Sequence, residues 1–102
     1  VKTLLNAPGT TGAPTPAPLD VTLVSAPGCH LCEDARGELG RRATAGQVAV
    51  REVDAESDEG LDLVTRHRPA LFPLVLVDGE FFSAGRLPRR KLDKLTSSAG
   101  RR

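Results

Sequence analysis

The sequence predicts an α/β domain built on one four-stranded mixed sheet, in the order strand-helix-strand-helix-strand-strand-helix, with helices on both faces. Three observations carry that expectation. Strand-like runs alternate with helix-like periods over residues 19 to 68, a pattern that implies parallel strands joined by a right-handed crossover. Asp78-Gly79 separates two later strand-like runs by the two residues a type I′ hairpin turn prefers. A chain of 102 residues holds one core and leaves no room for a second domain of ordinary size.

Residues 1 to 18, VKTLLNAPGTTGAPTPAP, contain four prolines, two glycines and four threonines, and read as a flexible tail or linker. The domain is expected over 19 to 98, followed by a short basic tail at 99 to 102. Its first strand is DVTLVS, 20 to 25, in which Val21, Leu23 and Ser25 alternate with Thr22 and Val24. Ala26, Pro27 and Gly28 then turn the chain into a helix that starts at the cysteines, with Leu31, Ala35, Leu39 and Ala43 recurring every four residues and Gly46 closing it. Gly37 and Gly40 inside that helix each cost up to about 1 kcal/mol relative to Ala, so its stability must come from packing.

QVAVREVD, 47 to 54, reads as the second strand. Ser57 is an N-cap, Asp58 and Glu59 suit the positive end of a helix, Leu61 and Val64 supply an apolar stripe, and Pro69 stops the run. PLVLV, 73 to 77, is continuously apolar, as a strand covered on both faces requires, and EFFSA, 80 to 84, is its hairpin partner. Pro88 fits the first turn of a last helix with Leu92 and Leu95 inward and Arg89, Arg90, Lys91 and Lys94 mostly toward water.

Composition narrows the function. Aromatic residues are 3% of the chain and Trp, Tyr and Met are absent, so the core must come from Leu, Val, Ala and three Phe. The formal charge of +1 gives no electrostatic reason to invoke nucleic acid. Charge is nonetheless segregated: residues 52 to 62 carry six acids and no base, and residues 86 to 102 carry seven bases with Asp93 the lone acid. Such runs are solvated helix faces or a docking surface. With no apolar run of membrane-spanning length and no leader-like N-terminus, the expectation is a cytoplasmic protein with no membrane partner, acting as a monomer.

Both cysteines lie in APGCHLCEDA, 26 to 35. A bond between residues three apart closes almost no loop and restrains the unfolded chain little, so a purely structural disulfide is a weak reading. Cys29 falls between a strand end and the first turn of a helix, where free backbone N–H groups and the positive dipole end favour a thiolate. A thiol so placed in a Cys-X-X-Cys loop can fall from a pKa of about 8.5 to between about 3.5 and 7.5. Cys32, one turn on, can attack a mixed disulfide on Cys29, which makes Cys29 the attacking and Cys32 the resolving thiol. His30, if protonated, favours the thiolate, whereas Glu33 and Asp34 oppose it. Cys29, His30, Cys32 and His67 have the residue types of a zinc site, but the second paired ligand set is missing and no metal is expected.

With Cys29-His30-Leu31-Cys32 at the head of a helix and LFPLVLVDG over 71 to 79, the chain resembles the glutaredoxin branch of the thioredoxin-like superfamily. There, too, a proline opens a buried strand and an Asn-Gly or Asp-Gly turn follows at the same offset. The match runs over about residues 19 to 98. The resemblance implies a thioredoxin-like fold, a cis Pro73 beside the active-site loop, and pairing of the Phe72 backbone with the substrate's disulfide strand. It also implies substrate contacts from Pro27, Gly28, His30 and Leu31. Three positions depart from the family pattern: His30-Leu31 replaces Pro-Tyr, Leu71-Phe72 replaces Thr-Val, and Ser83-Ala84 replaces Gly-Gly, with Gly85 one step later. Arg86 and Arg89 are candidates for the anion contact to glutathione that those glycines would otherwise provide.

The expected activity is reduction of protein disulfides or glutathione mixed disulfides by cycling Cys29 and Cys32, with no bound cofactor and glutathione as a possible co-substrate. Two rival classes are a dimer holding an iron-sulfur cluster through Cys29 and external thiols, and an adaptor that kept the fold, lost the chemistry and docks through its basic last helix.

Overall fold

The computed structural model describes residues 18 to 100, with side chains as far as residue 96. The tail expected at 1 to 18, apart from Pro18, and residues 101 and 102 lie outside the described residues. The elements are β1 (Leu19–Ser25), α1 (His30–Thr44), β2 (Val48–Asp54), α2 (Asp58–His67), β3 (Leu74–Val77), β4 (Glu80–Ala84) and α3 (Arg89–Gly100). The strands form one sheet in the order β2-β1-β3-β4, with β1 and β2 parallel and the β1–β3 and β3–β4 pairs antiparallel.

Alternation along the strands divides the core between the two faces. Val21 and Leu23 of β1, Val75 of β3 and Phe82 of β4 pack with Ala35 and Leu39 of α1 and Leu92 of α3. Val24, Leu74 and Leu76 point the other way, onto Leu63 of α2. The α1–α3 face has nine buried residues in its cluster and the α2 face six, so at about 1.5–3 kcal/mol per fully buried Leu or Val the first face contributes more of the stability. β3 is covered on both sides, as its unbroken apolar run requires.

The caps follow the sequence closely. Helix α1 ends with Gly46 at φ +80, its N–H donating to Ala43 O and that of Gln47 to Arg42 O, the paired bonds of a Schellman motif. The Ser57 hydroxyl caps α2 by accepting from Gly60 N–H at 3.0 Å. Asp78 and Gly79 both have positive φ, 52 and 84, as a type I′ turn needs.

Three helix faces differ from expectation. On α1 the buried residues are Cys32, Ala35 and Leu39, while Leu31 is half-buried and Ala43 exposed. A four-residue repeat drifts by about 40° per step on a 3.6-residue helix, so its two ends leave the buried face. On α2 the buried positions are Gly60 and Leu63, and Leu61 is 53% exposed. The helix lies so close to the end of β2 that only a residue without a side chain fits there: a Cβ on Gly60 would sit 1.9 Å from Asp54 O. On α3 Leu92 is fully buried but Leu95, about 60° round the helix, is 37% exposed. The β3–β4 ladder also carries a bulge at Phe82, between the Val75–Ser83 and Leu76–Phe81 pairs, and both Phe82 and Ser83 are buried.

Candidate active site

The strand directions bring four chain segments to one end of the sheet. β1 and β2 end there in parallel at Ser25 and Asp54, β3 begins there because Leu74 pairs with Val24, and β4 ends there because Ala84 pairs with Leu74. Across this rim, from β2 to β4, lie Asp54, the cysteine loop, Pro73, and Ala84 with Gly85.

Cys29 is the N-cap residue of α1, with extended backbone angles, and its sulfur accepts the N–H of Cys32 at 3.0 Å. That is the role a serine or aspartate oxygen plays at a helix start. A thiolate at the same place would accept a charge-assisted form of that bond and sit at the positive end of the helix dipole. Cys29 and Cys32 are joined as a disulfide, with Cα atoms 5.1 Å apart. Cys32 is 1% exposed, whereas Cys29 is half-buried and faces the rim. An incoming molecule therefore meets the Cys29 sulfur first.

The β3 side of the loop is set by Phe72 and Pro73, whose peptide bond is cis. Cys29 Sγ lies 3.8 Å from Phe72 O; the sulfur carries no proton in the disulfide, so this is a contact. Pro73 is buried, and its carbonyl accepts the N–H of Gly85 at 3.0 Å, which ties the end of β4 to the start of β3. Gly85 has φ +93, and a Cβ there would come within 3.2 Å of Leu71 Cδ1. Leu71 itself is 59% exposed, leaving an apolar side chain at the rim beside Phe72.

On the β2 side, a cleft of about 310 Å3 opens beside Cys29, walled by residues 25 to 28, Glu33, Arg36 and Asp54. Ser25 Oγ donates to Glu52 Oε2 at 2.7 Å, and Arg36 forks onto both oxygens of Glu52 at 2.9 and 2.6 Å. Arg36, assisted by the Ser25 hydroxyl, holds the Glu52 carboxyl below the ordinary carboxylate range. A second network joins α1 to α3. Arg89 bonds Asp34 and Glu38, and Arg42, largely buried, bonds Glu38 and Asp93. Its hydrogen bonds with Arg89 lower the Asp34 pKa, and those with Arg41 and then Arg42 lower that of Glu38.

No family model matches the sequence, and no curated protein matches it. Among solved structures, the chain is similar to the solution structure of an uncharacterized thioredoxin-like protein from Clostridium perfringens. The superposition covers 84% of this chain and 74% of that one, at a TM-score of 0.63 and 14% identity. The fold is thioredoxin-like. At that identity the likeness concerns the fold, and the chemistry must be argued from the residues.

Within this thioredoxin-like frame, Cys29, Cys32, Phe72 and Pro73 come together, and Gly85 is tied to them through Pro73. Pro27 and Gly28 are exposed on the loop, Gly28 at φ +65, and Leu31 is half-buried. The His30 side chain is 97% exposed, with Nδ1 3.9 Å from Glu33 Oε1. Ala84 is half-buried at the rim, but Ser83 is 8% exposed beneath the sheet surface, with its hydroxyl unpartnered. Arg86 is exposed, and no ion pair joins it to another described residue. Arg89 is engaged by Asp34 and Glu38. Among the described residues, no three His, Cys, Asp or Glu side chains converge as metal ligands, and no helix is long and apolar enough to cross a membrane.

The cleft and its Ser25–Glu52–Arg36 network carry no motif or spacing signature in the sequence. The available signal was that Ser25 and Glu52 fall on one face of two adjacent parallel strands, the face that α1 covers.

Proposed function

We propose that the chain is a glutaredoxin-like thiol–disulfide oxidoreductase that reduces protein disulfides or glutathione mixed disulfides through Cys29 and Cys32. One observation carries this reading: the accessible sulfur of the pair is the one that caps the helix, 3.0 Å from the Cys32 N–H, while its partner is buried one turn further in. The helix-capping sulfur and the less buried position thus coincide on Cys29, which favours that sulfur as the thiolate of the reduced pair.

The cycle balances as two exchanges. The Cys29 thiolate attacks one sulfur of the substrate disulfide; the substrate S–S bond breaks, a Cys29 mixed disulfide forms, and the other substrate thiolate leaves and takes up a proton. Cys32, having lost its proton, then attacks Cys29 Sγ, which closes the Cys29–Cys32 disulfide and releases the second substrate thiol. Two electrons pass from the pair to the substrate. An external thiol reductant, glutathione or a reduced protein dithiol, restores the dithiol by the reverse exchanges.

The backbone of Phe72, whose carbonyl oxygen lies 3.8 Å from the sulfur, is the edge on which an extended substrate segment would pair. Glutathione would have to use that edge and Arg86, because Ser83 is buried and Arg89 already binds two carboxylates. The same reading places the protein in the cytoplasm, working as a monomer on a disulfide-containing partner.

The test is variant turnover with a glutathionylated peptide. Cys29→Ser is expected to lose all reduction, and Cys32→Ser to retain the one-cysteine reaction with this substrate alone. Turnover by Cys29→Ser at the wild-type rate refutes the assignment.

A further inference from the structure

The cleft on the β2 side of Cys29 is a built part of the rim that the exchange chemistry does not use. Its size, about 310 Å3, lies at the lower limit for ligand pockets and suits one long side chain more than a whole tripeptide. It borders the reacting residue, since Cys29 is one of its walls. A molecule held on Cys29 as a mixed disulfide has this cleft on one side and the exposed Leu71 on the other.

Charge decides what the cleft accepts. Arg36, its one base, is already paired in a two-point fork with Glu52 and adds no net charge. The two remaining ionic walls are Glu33, 66% exposed, and Asp54. Neither forms an ion pair with a lysine or arginine among the described residues; His30 Nδ1 lies 3.9 Å from Glu33 Oε1, and the charge of Arg36, itself forked onto Glu52, also acts on Glu33. Beyond Asp54 the β2–α2 connection adds Glu56 and Asp58, both exposed, so the field on this side is negative well past the cleft. The opposite end of the rim, after β4, carries the exposed Arg86.

We infer that this cleft selects disulfides with a positively charged residue next to the attacked cysteine: the substrate class is a polypeptide whose reactive cystine is flanked by Lys or Arg. The inference rests on the redox reading above. The substrate's ammonium or guanidinium enters between Glu33 and Asp54, while the chain on the far side of the disulfide lies toward Leu71 and Phe72. An acidic neighbour is repelled by the same two carboxylates. The exchange itself is unchanged, with Cys29 forming the mixed disulfide, the second thiolate leaving, and Cys32 closing the pair.

The experiment uses the full chain, reduced and freed of reductant, in single turnover. Three peptides identical except for Lys, Gln or Glu beside one cysteine each carry the same neutral fluorescent thiol as a mixed disulfide. The expected order of second-order rate constants is Lys, Gln, Glu, with Lys over Glu by about fivefold or more at low salt, and a ratio near one at 1 M salt, where the screening length is about 3 Å. Glu33→Gln and Asp54→Asn each lower the ratio by roughly 1.5- to fivefold, the range of exposed ion pairs. Both keep an amide oxygen in place of a carboxylate oxygen, so the Glu56 N–H that donates to Asp54 Oδ1 at 2.8 Å retains its acceptor. If Asp54→Asn does not fold, the exposed Glu33→Gln alone decides. Equal rates for Lys and Glu peptides, or a ratio unmoved by the substitutions, overturn the inference and leave the redox reading standing. Reduction of none of the three peptides overturns both.

Discussion

Substituting Gly60 by alanine is a severe test of how the second helix is docked, because the space for a side chain there is negative. The Cβ would fall 1.9 Å from Asp54 O and 2.8 Å from Ala55 Cα, both backbone atoms that cannot rotate away. Restoring ordinary van der Waals separation of about 3.5 Å requires the first turn of α2 to move by more than about 1 Å. That shift strains the Ser57 cap, whose hydroxyl accepts from Gly60 N–H, and loosens Leu63 from the second core cluster. Overpacking of this kind costs typically about 1–3 kcal/mol. With backbone on the receiving side, about 3 kcal/mol is expected, or a fall in Tm of roughly 12–24 °C for a domain of this size. Gly40→Ala is the matched control: it lies inside α1 with nothing within 4 Å of its added Cβ, and should gain up to about 1 kcal/mol from helix propensity, raising Tm by roughly 4–8 °C. Both are read in one thermal melt followed by circular dichroism. A Gly60→Ala midpoint within about 3 °C of the parent, or a Gly40→Ala midpoint below it, would refute the packing argument.

Acid stability follows from the carboxylates that arginines hold below their ordinary pKa: Glu38, Glu52 and Asp34. Their folded values are depressed, so the stability they contribute is complete above the unfolded carboxylate pKa of about 4 and is lost as pH falls through the lower folded values. Thermal midpoints should hold between pH 7 and 5 and drop below about pH 4; a flat profile to pH 3 would contradict the networks. Leu39, fully buried between α1 and the sheet, should cost about 2–5 kcal/mol in urea unfolding when cut to Ala. Leu95→Ala, at a site 37% exposed, should cost less than about 1 kcal/mol, and equal costs would mean the faces of the two helices are misassigned.

The features legible in the sequence were those set by local chemistry. Gly46, Ser57 and Asp78-Gly79 each meet a backbone requirement that few residues satisfy, so the helix ends and the hairpin fell where they were expected. The unbroken run PLVLV, 73 to 77, announces a strand covered on both faces, observed over Leu74–Val77, and the resemblance supplies the cis bond before Pro73. What stayed hidden depended on approach between elements. Gly60 reads locally as a weak helix residue, yet it is the contact point of α2, and this rotates Leu61 into solvent. Arg89 reads as a free cation, but the crossing of α1 and α3 sets it against Asp34 and Glu38. The cleft needed Ser25, Arg36 and Asp54 from three different elements, a convergence with no spacing signature.

The central claim is that the Cys29 sulfur, held at the head of α1, is the ionised and accessible thiol of the pair. Site-resolved alkylation of the reduced protein by iodoacetamide across pH 4 to 10, quantified by mass spectrometry, measures this directly. Cys29 should react first, with a half-maximal rate below about pH 7.5, and Cys32 far more slowly. Equal reactivity of the two cysteines, or a Cys29 midpoint at about 8.5 or above, would contradict the account.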